Sequence, residues 1–193
     1  MLTLTVTSPA QTFTEPVTLA QAKEFLRVPV LSPTDSAQDA EIESLITASR
    51  EMAEGFQGRD LVGKQWDRTL DSFPSVEIEL RRPLSTVDLV QYKDSDGTTT
   101  ALTEDTDYIK DTSKGLIRPI YGGSWPSFTA WPTSAVTIRF STSPERVHDN
   151  IKTGMKLLIS DWYYNRLPRT VARDDIPMGI RALLSYGGLQ IIP

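Results

Sequence analysis

Cysteine is absent from this chain of 193 residues, which excludes a disulfide framework, a thiol nucleophile and a Cys-ligated zinc site. The same absence leaves the redox compartment unassigned. Histidine is nearly as scarce: the single one, His148, falls in the first turn of a predicted helix. Alone it cannot build a two-histidine metal site, although one imidazole suffices for general-base chemistry. No G-x-S-x-G elbow surrounds any serine, so a hydrolase triad has no support. No apolar run approaches the ~18 residues of a membrane span, and the N-terminal stretch MLTLTVTSPA has no basic region, so neither a span nor a signal peptide is expected. Positive charge is in deficit too. The formal net charge is -5 and the pI is near 5.0, which argues against a protein that holds nucleic acid by neutralising phosphates. Contact with DNA without tight binding stays open.

What remains is ordinary globular composition, 39% hydrophobic and 23% charged with no low-complexity run, enough for a sizeable core in one domain or one domain with an insertion. The longest helical pattern is residues 36–56, SAQDAEIESLITASREMAEGF. Its Ile42, Leu45, Ile46, Ala48, Ala53 and Phe56 recur at three- and four-residue steps and form a core face. Ser36 is its expected N-cap, Asp39 and Glu41 sit near the positive end of the dipole, and Gly58 stands past the end as a stop. Such a helix is roughly 30 Å long. Its polar side carries Asp39, Glu41, Glu43, Glu51 and Glu54 against Arg50, either a solvated face or a surface for a basic neighbour.

Before that helix, residues 1–17 read as an extended arm containing Pro9 and Pro16. Thr18-Leu19-Ala20-Gln21 then fits a capping box opening a short helix with Ala22, Phe25 and Leu26 on its apolar side. After Gly58 the period changes to two and stays so for about eighty residues. Alternating runs occur at Trp66 to Leu70, Val76 to Leu80, Val87 to Tyr92, Tyr108 to Ile109, Leu116 to Ile120 and Ala135 to Phe140. Asp94-Ser95-Asp96-Gly97 supplies a hairpin turn. Helical spacing returns at Val147, Ile151, Met155, Leu158, Ile159 and Trp162 through Arg166, and Pro177 opens a last short helix with Ile180, Leu183 and Leu184. The fold class expected is therefore α+β: a helical bundle of two long and two short helices with an inserted small antiparallel sheet or barrel of five or six strands. Domain boundaries follow at 1–58 for the arm and first helices, 59–143 for the inserted β domain and 144–193 for the last helices and tail.

Two motifs invite chemistry and fail on inspection. Gly58-Arg59-Asp60-Leu61-Val62-Gly63-Lys64 matches a phosphate-binding loop, but Gln65 replaces the magnesium-binding hydroxyl and a helix precedes where a strand is needed. Asp94-Ser95-Asp96-Gly97 resembles a calcium loop, yet the first and twelfth ligand positions would be Tyr92 and Thr103. No catalytic residue, cofactor or metal is expected, and the chain is read as a non-enzyme.

Charge is distributed unevenly. Basic residues gather late, at Arg146, Lys152, Lys156, Arg166, Arg169, Arg173 and Arg181, while the first long helix is acidic. One reading is a head-to-tail contact between identical copies closing into a ring, with Glu43, Arg50, Glu51 and Glu54 on one side and Lys152, Lys156 and Arg166 on the other. The other readings are solvated faces, or pairing of the two helices within one subunit. The C-terminal stretch from Tyr186 through Gly187-Gly188 to Leu189, Ile191, Ile192 and Pro193 is unusually apolar, and either covers its own core or meets a partner.

Short marks along nearly the whole chain resemble one family. They are Leu19 with Ala22-Lys23 and Leu26, then Ile42, Leu45-Ile46 and Arg50, Gly58-Arg59 with Leu61, and Gln65-Trp66 with Leu70 and Phe73-Pro74. Arg82-Pro83-Leu84, Asp96-Gly97, Ser124-Trp125-Pro126, Trp162-Tyr163 with Asn165-Arg166, and Pro177 with Leu183-Leu184 continue the series. The chain thereby resembles the head-tail connector proteins of tailed bacteriophages, also called portal adaptors or head-completion proteins, in the subgroup with a sheet inserted between helices. It departs from them at Ser141-Thr142-Ser143, where similar sequences carry a glycine and an aromatic residue, and in its glycine-rich tail. The resemblance implies a structural virion protein of the neck, assembled in the bacterial cytoplasm, that forms a ring, commonly twelve-fold, under the portal. Such a ring extends the DNA channel to the tail and serves genome packaging and ejection. The implied partners are sister copies, the portal protein, the next neck or tail-completion protein, and duplex DNA sliding past without specific binding. Tyr186, Leu189, Ile191 and Ile192 would then form a portal-binding tail. Rival readings are another neck or tail-completion protein, a nucleotide-binding enzyme built on Gly58 to Lys64, and a non-viral peptide-binding module.

Overall fold

The computed structural model describes residues 3–6, 14–28, 36–165 and 177–185, and it is an α+β fold. Its chain divides into two compact units: Thr14–Leu61 with Glu145–Pro193, and Met1–Phe13 with Val62–Pro144.

The first unit is helical, with α1 (Leu19–Leu26), α2 (Ser36–Gln57), α3 (Asp149–Tyr164) and α4 (Met178–Leu184). The capping box is present in full at the start of α1: the Gln21 N–H donates to Thr18 Oγ1 at 3.2 Å and the Thr18 N–H to Gln21 Oε1 at 3.1 Å. These bonds satisfy donors that a helix start otherwise leaves open. α2 ends where expected, at Gly58, whose φ of 62° lies in the left-handed region that favours glycine. Apolar residues from all four helices merge into one core that includes Leu26, Ile42, Ile46, Ile151, Met155, Leu158 and Leu184.

The second unit holds eight strands among the described residues, not the five or six expected, and they form two antiparallel sheets. β1 (Thr3–Val6), β2 (Lys64–Leu70), β4 (Leu84–Lys93), β5 (Thr99–Leu102) and β8 (Val136–Thr142) make the larger sheet in the order β1-β2-β8-β4-β5. The smaller one runs β3-β7-β6, from β3 (Ile78–Glu79), β6 (Tyr108–Asp111) and β7 (Leu116–Pro119). A period of two is the same in either sheet, so alternation alone cannot say how strands divide between them. The last strand in sequence is central in space. β8 pairs with β2 from Lys64↔Thr142 to Leu70↔Val136, and Val136, Ile138, Phe140 and Thr142 alternate inward. β4 meets its other side with register shifts between Leu84 and Thr86 and between Val87 and Leu89, bulges that bend a strand and increase its twist.

The N-terminal arm is corrected in part. Thr3–Val6 is a paired edge strand, in register from Thr3↔Thr69 to Val6↔Trp66. The run expected at Val76 to Leu80 contracts to two strand residues, with Val76 exposed and the Trp125 indole N–H donating to its carbonyl at 3.2 Å. Phe73 stacks on Trp125 at 4.8 Å between centroids. Together with Tyr92 and Phe128 this aromatic group extends the core shared by both sheets.

Candidate functional site

The two tempting motifs prove to be connections. Gly58 to Lys64 runs from the end of α2 to the start of β2, so no helix N-terminus is offered to a phosphate. At Asp94–Gly97 the Gly97 N–H donates to the Asp94 carbonyl at 3.0 Å, and Asp94 Oδ1 accepts from the N–H groups of Asp96 and Thr98. That carboxylate organises a hairpin between β4 and β5. His148 is the N-cap of α3 and makes no side-chain capping bond there. Among the described residues no three His, Asp or Glu side chains come together as a metal site, and no helix is long and apolar enough to cross a membrane.

The predicted acidic face of α2 is smaller than its sequence indicates. Asp39 forms an ion pair with Lys23 of α1. Arg50 and Glu54 are corrected outright: they are buried, with 3% side-chain exposure each, and pair at 2.9 Å. The Arg50 guanidinium also donates to both oxygens of Glu15, at 3.2 and 3.0 Å, and Glu54 Oε1 accepts the Leu61 N–H at 3.0 Å. One i,i+4 pair thereby ties the segment before α1 and the turn after α2 to the middle of the helix. Neither residue lies on the surface that the sequence assigned to it. Glu41, Glu43 and Glu51 do remain exposed, with the Glu51 side chain at 65% and 3.7 Å from Arg50. Lys152 and Lys156 of α3 are half-buried. Arg166 and the tail residues Tyr186, Leu189, Ile191 and Ile192 lie outside the described residues. At the end of α4 the Leu184 carbonyl accepts from the Gln57 amide at 2.8 Å.

A second charged locus was missed from the sequence. Lys64, Trp66 and Arg68 occupy alternate positions of β2 and so share a face. The connection from β3 to β4 contributes Arg81, whose Cζ lies 5.2 Å from the Trp66 ring centroid, while Lys64 Nζ lies 5.8 Å from it. These are cation–π distances. Burial lowers the pKa of the Arg68 guanidinium from its ordinary value, and the charge of Glu79 opposes that shift. Lys64-x-Trp66-x-Arg68 was the available signal, but Arg81 arrives from a separate strand connection and no periodicity announces it. On the opposite face of the same sheet charge is neutralised locally. Arg139 donates through Nε and Nη2 to the two Asp67 oxygens, both at 2.8 Å, and this bond and charge raise its pKa. Asp88 is desolvated, which raises a carboxyl pKa, but bonds from Thr86, Ser141 and Gln65 with the Arg139 charge prevail and lower it. The departure at Ser141-Thr142 is thus structural: Ser141 Oγ donates to Asp88 at 2.9 Å, and buried Thr142 Oγ1 donates to the Lys64 carbonyl at 3.3 Å.

No family model matches the sequence, and no curated protein does. Solved structures do share its fold, among them three from gene transfer agent particles. A chain in the neck of an empty gene transfer agent particle, computed with C6 symmetry, superposes with a TM-score of 0.71 at 20% identity, over 95% of this chain and 93% of that one. A chain of the virion of a native gene transfer agent particle gives 0.67 at 19% identity, over 94% and 92%. The neck of the native particle, computed with C12 symmetry, gives 0.63 at 19% identity, over 95% and 92%.

Proposed function

We propose that this chain is a structural, non-catalytic component of the neck of a virus-like particle, and within the neck a head-tail connector. Copies form a ring, twelve-fold in this reading, that extends the channel beneath the portal. The observation that carries the reading is likeness over almost the whole length, both units included, to chains from particle necks solved with cyclic symmetry. Physical features support it. A net charge of -5 repels phosphate, so duplex DNA passes such a channel without being held. The still-exposed Glu43 and Glu51 and the half-buried Lys152 and Lys156 belong to contacts between subunits in this reading.

Imaging purified particles tests it. The expected result is density for this polypeptide in a ring at the portal vertex, with the copies counted directly. Particles that lack the polypeptide, or saturable ATP binding by the purified chain, overturn the reading. The apolar terminus motivates a narrower test, because an extended segment adds to a partner through backbone hydrogen bonds with alternate side chains setting register. Deletion of residues 187–193 is expected to abolish portal binding while circular dichroism stays unchanged; normal attachment after deletion refutes the tail contact.

A further inference from the structure

We propose that the two outer strands of the larger sheet pair between copies, β5 of one subunit lying parallel to β1 of the next, so that the sheet runs on across each joint of the ring. The inference rests on the ring reading above and adds a backbone contact to it. Antiparallel strands alternate residues whose N–H and C=O groups face the partner with residues whose groups face away. At the turn between β4 and β5 the Asp94 N–H donates to the Thr98 carbonyl at 3.0 Å, so the groups of the next pair, Lys93 and Thr99, face away from each other. Those of Lys93 agree: its N–H donates to the Ala135 carbonyl at 2.7 Å and its carbonyl accepts the Trp131 N–H at 3.1 Å. With the register Lys93↔Thr99 and Gln91↔Ala101, the backbone groups of Thr99 and Ala101 point outward, beyond the last strand of the sheet. Both residues are exposed, as is Thr100 between them. At Thr103 the edge closes, because its N–H donates to Asp107 Oδ2 at 2.8 Å and its carbonyl accepts from the N–H groups of Thr106 and Asp107.

An open edge templates pairing with another chain unless charge, proline or a bulge blunts it. β5 has none of these: Thr99, Thr100, Ala101 and Leu102 are uncharged and pair with β4 in unbroken register. β6, an edge of the smaller sheet, is protected, since the Tyr108 carbonyl accepts the Asp105 N–H at 2.8 Å and Lys110 is ion-paired with Glu104 at 2.9 Å. The contrast within one unit singles out β5. At the other end of the same sheet, Thr3, Leu4, Thr5 and Val6 of β1 are equally uncharged, and among the described residues β2 is the only strand that β1 pairs with. Strand direction then fits a ring. Every neighbouring pair in β1-β2-β8-β4-β5 is antiparallel, so β1 and β5 run the same way. Copies related by a small rotation keep that direction, and β5 meets the next β1 as a parallel pair joined by main-chain hydrogen bonds. The two edges differ, so the contact is heterologous, and heterologous contacts close into a ring when the rotation divides a full turn. A two-fold dimer through β5 alone would be antiparallel and would leave each β1 open.

Because the chain has no cysteine, introduced thiols report the joint directly. Full-length Thr99→Cys or Leu102→Cys is mixed with Thr3→Cys or Val6→Cys before assembly, and cross-links are read in solution and on particles. A disulfide forms where Cα atoms lie about 4.4–6.8 Å apart, a span that neighbouring strands satisfy. The parallel joint predicts that Thr99→Cys joins Thr3→Cys in preference to Val6→Cys, and that Leu102→Cys shows the reverse. Ala101→Pro removes an outward N–H and leaves the ladder to β4 intact, so it is expected to weaken association about tenfold with circular dichroism unchanged. The opposite cross-linking preference, β5 cysteines joining one another, or assembled rings without a cross-link in any mixture overturns the joint and leaves the ring reading standing. Normal assembly of Ala101→Pro does the same. Loss of another neck protein from Ala101→Pro particles, with the ring intact, reassigns the edge to that protein and overturns the proposal. A chain that assembles neither alone nor on particles removes both the joint and the ring.

Discussion

Removing one end of the Arg50–Glu54 pair strands a charge inside the helical core, because both side chains are 3% exposed. Breaking such a buried pair is expected to lower the unfolding free energy by about 3–5 kcal/mol, so Arg50→Ala lowers the urea midpoint by that loss divided by the slope, with the slope itself unchanged. Glu54→Gln keeps an oxygen for the Leu61 N–H and is expected to lose less than Glu54→Ala. None of this is legible locally. A charged residue on an amphipathic helix reads as solvent-facing, and the partner that draws Arg50 inward is Glu15, 35 positions earlier. Tyr108 makes the β unit sensitive to alkaline pH. Burial first, then the charges of Glu104, Asp105, Asp107 and Asp88, push its pKa up to about 12. The unfolded phenol titrates near ~10, so its stabilising contribution is complete below that pH and is lost as pH rises from there towards the folded value. Unfolding followed between those limits should steepen with pH, and Tyr108→Phe should flatten the dependence.

Two helix glycines separate local propensity from packing at the scale of the element. Gly55 of α2 has nothing within 4 Å of an added Cβ, whereas at Gly154 of α3 that Cβ would stand 2.8 Å from Leu184 Cδ2. Gly55→Ala is accordingly expected to raise stability by up to about 1 kcal/mol. Gly154→Val is expected to lower it by about 1–3 kcal/mol, since fully buried Leu184 has nowhere to move. Thermal unfolding of the two variants gives opposite signs if the packing is as described. Elements whose signals lie within a few residues were readable in advance: the Thr18 box, the stop at Gly58 and the Asp94–Gly97 hairpin. β3 misled because Val76 matches the alternation of Ile78 and Leu80 but is 67% exposed. The Trp66 cluster escaped because it is assembled across elements, from β2 and Arg81.

The whole molecule is two cores on one chain, a helical one and a β one. The larger sheet is finished by residues far removed in sequence, since β1 precedes the helical segment and β2 follows it. Four residues with no strong pattern gave no notice of this pairing, and the family resemblance added none. Deleting residues 1–6 is expected to expose the β2 edge, and exposed edges template pairing with other chains. Hydrogen exchange should show faster exchange of the β2 amides that faced the lost strand, and light scattering should show concentration-dependent association; unchanged protection would contradict the pairing.

This arrangement has a consequence for biosynthesis. Thr3–Val6 leaves the ribosome long before Lys64–Leu70, and that segment in turn waits for Val136–Thr142 to emerge and occupy its other flank. Long sequence separation makes closure slow. The earliest stretch of the sheet to be synthesised is therefore secured only after nearly everything between it and the central strand has been translated.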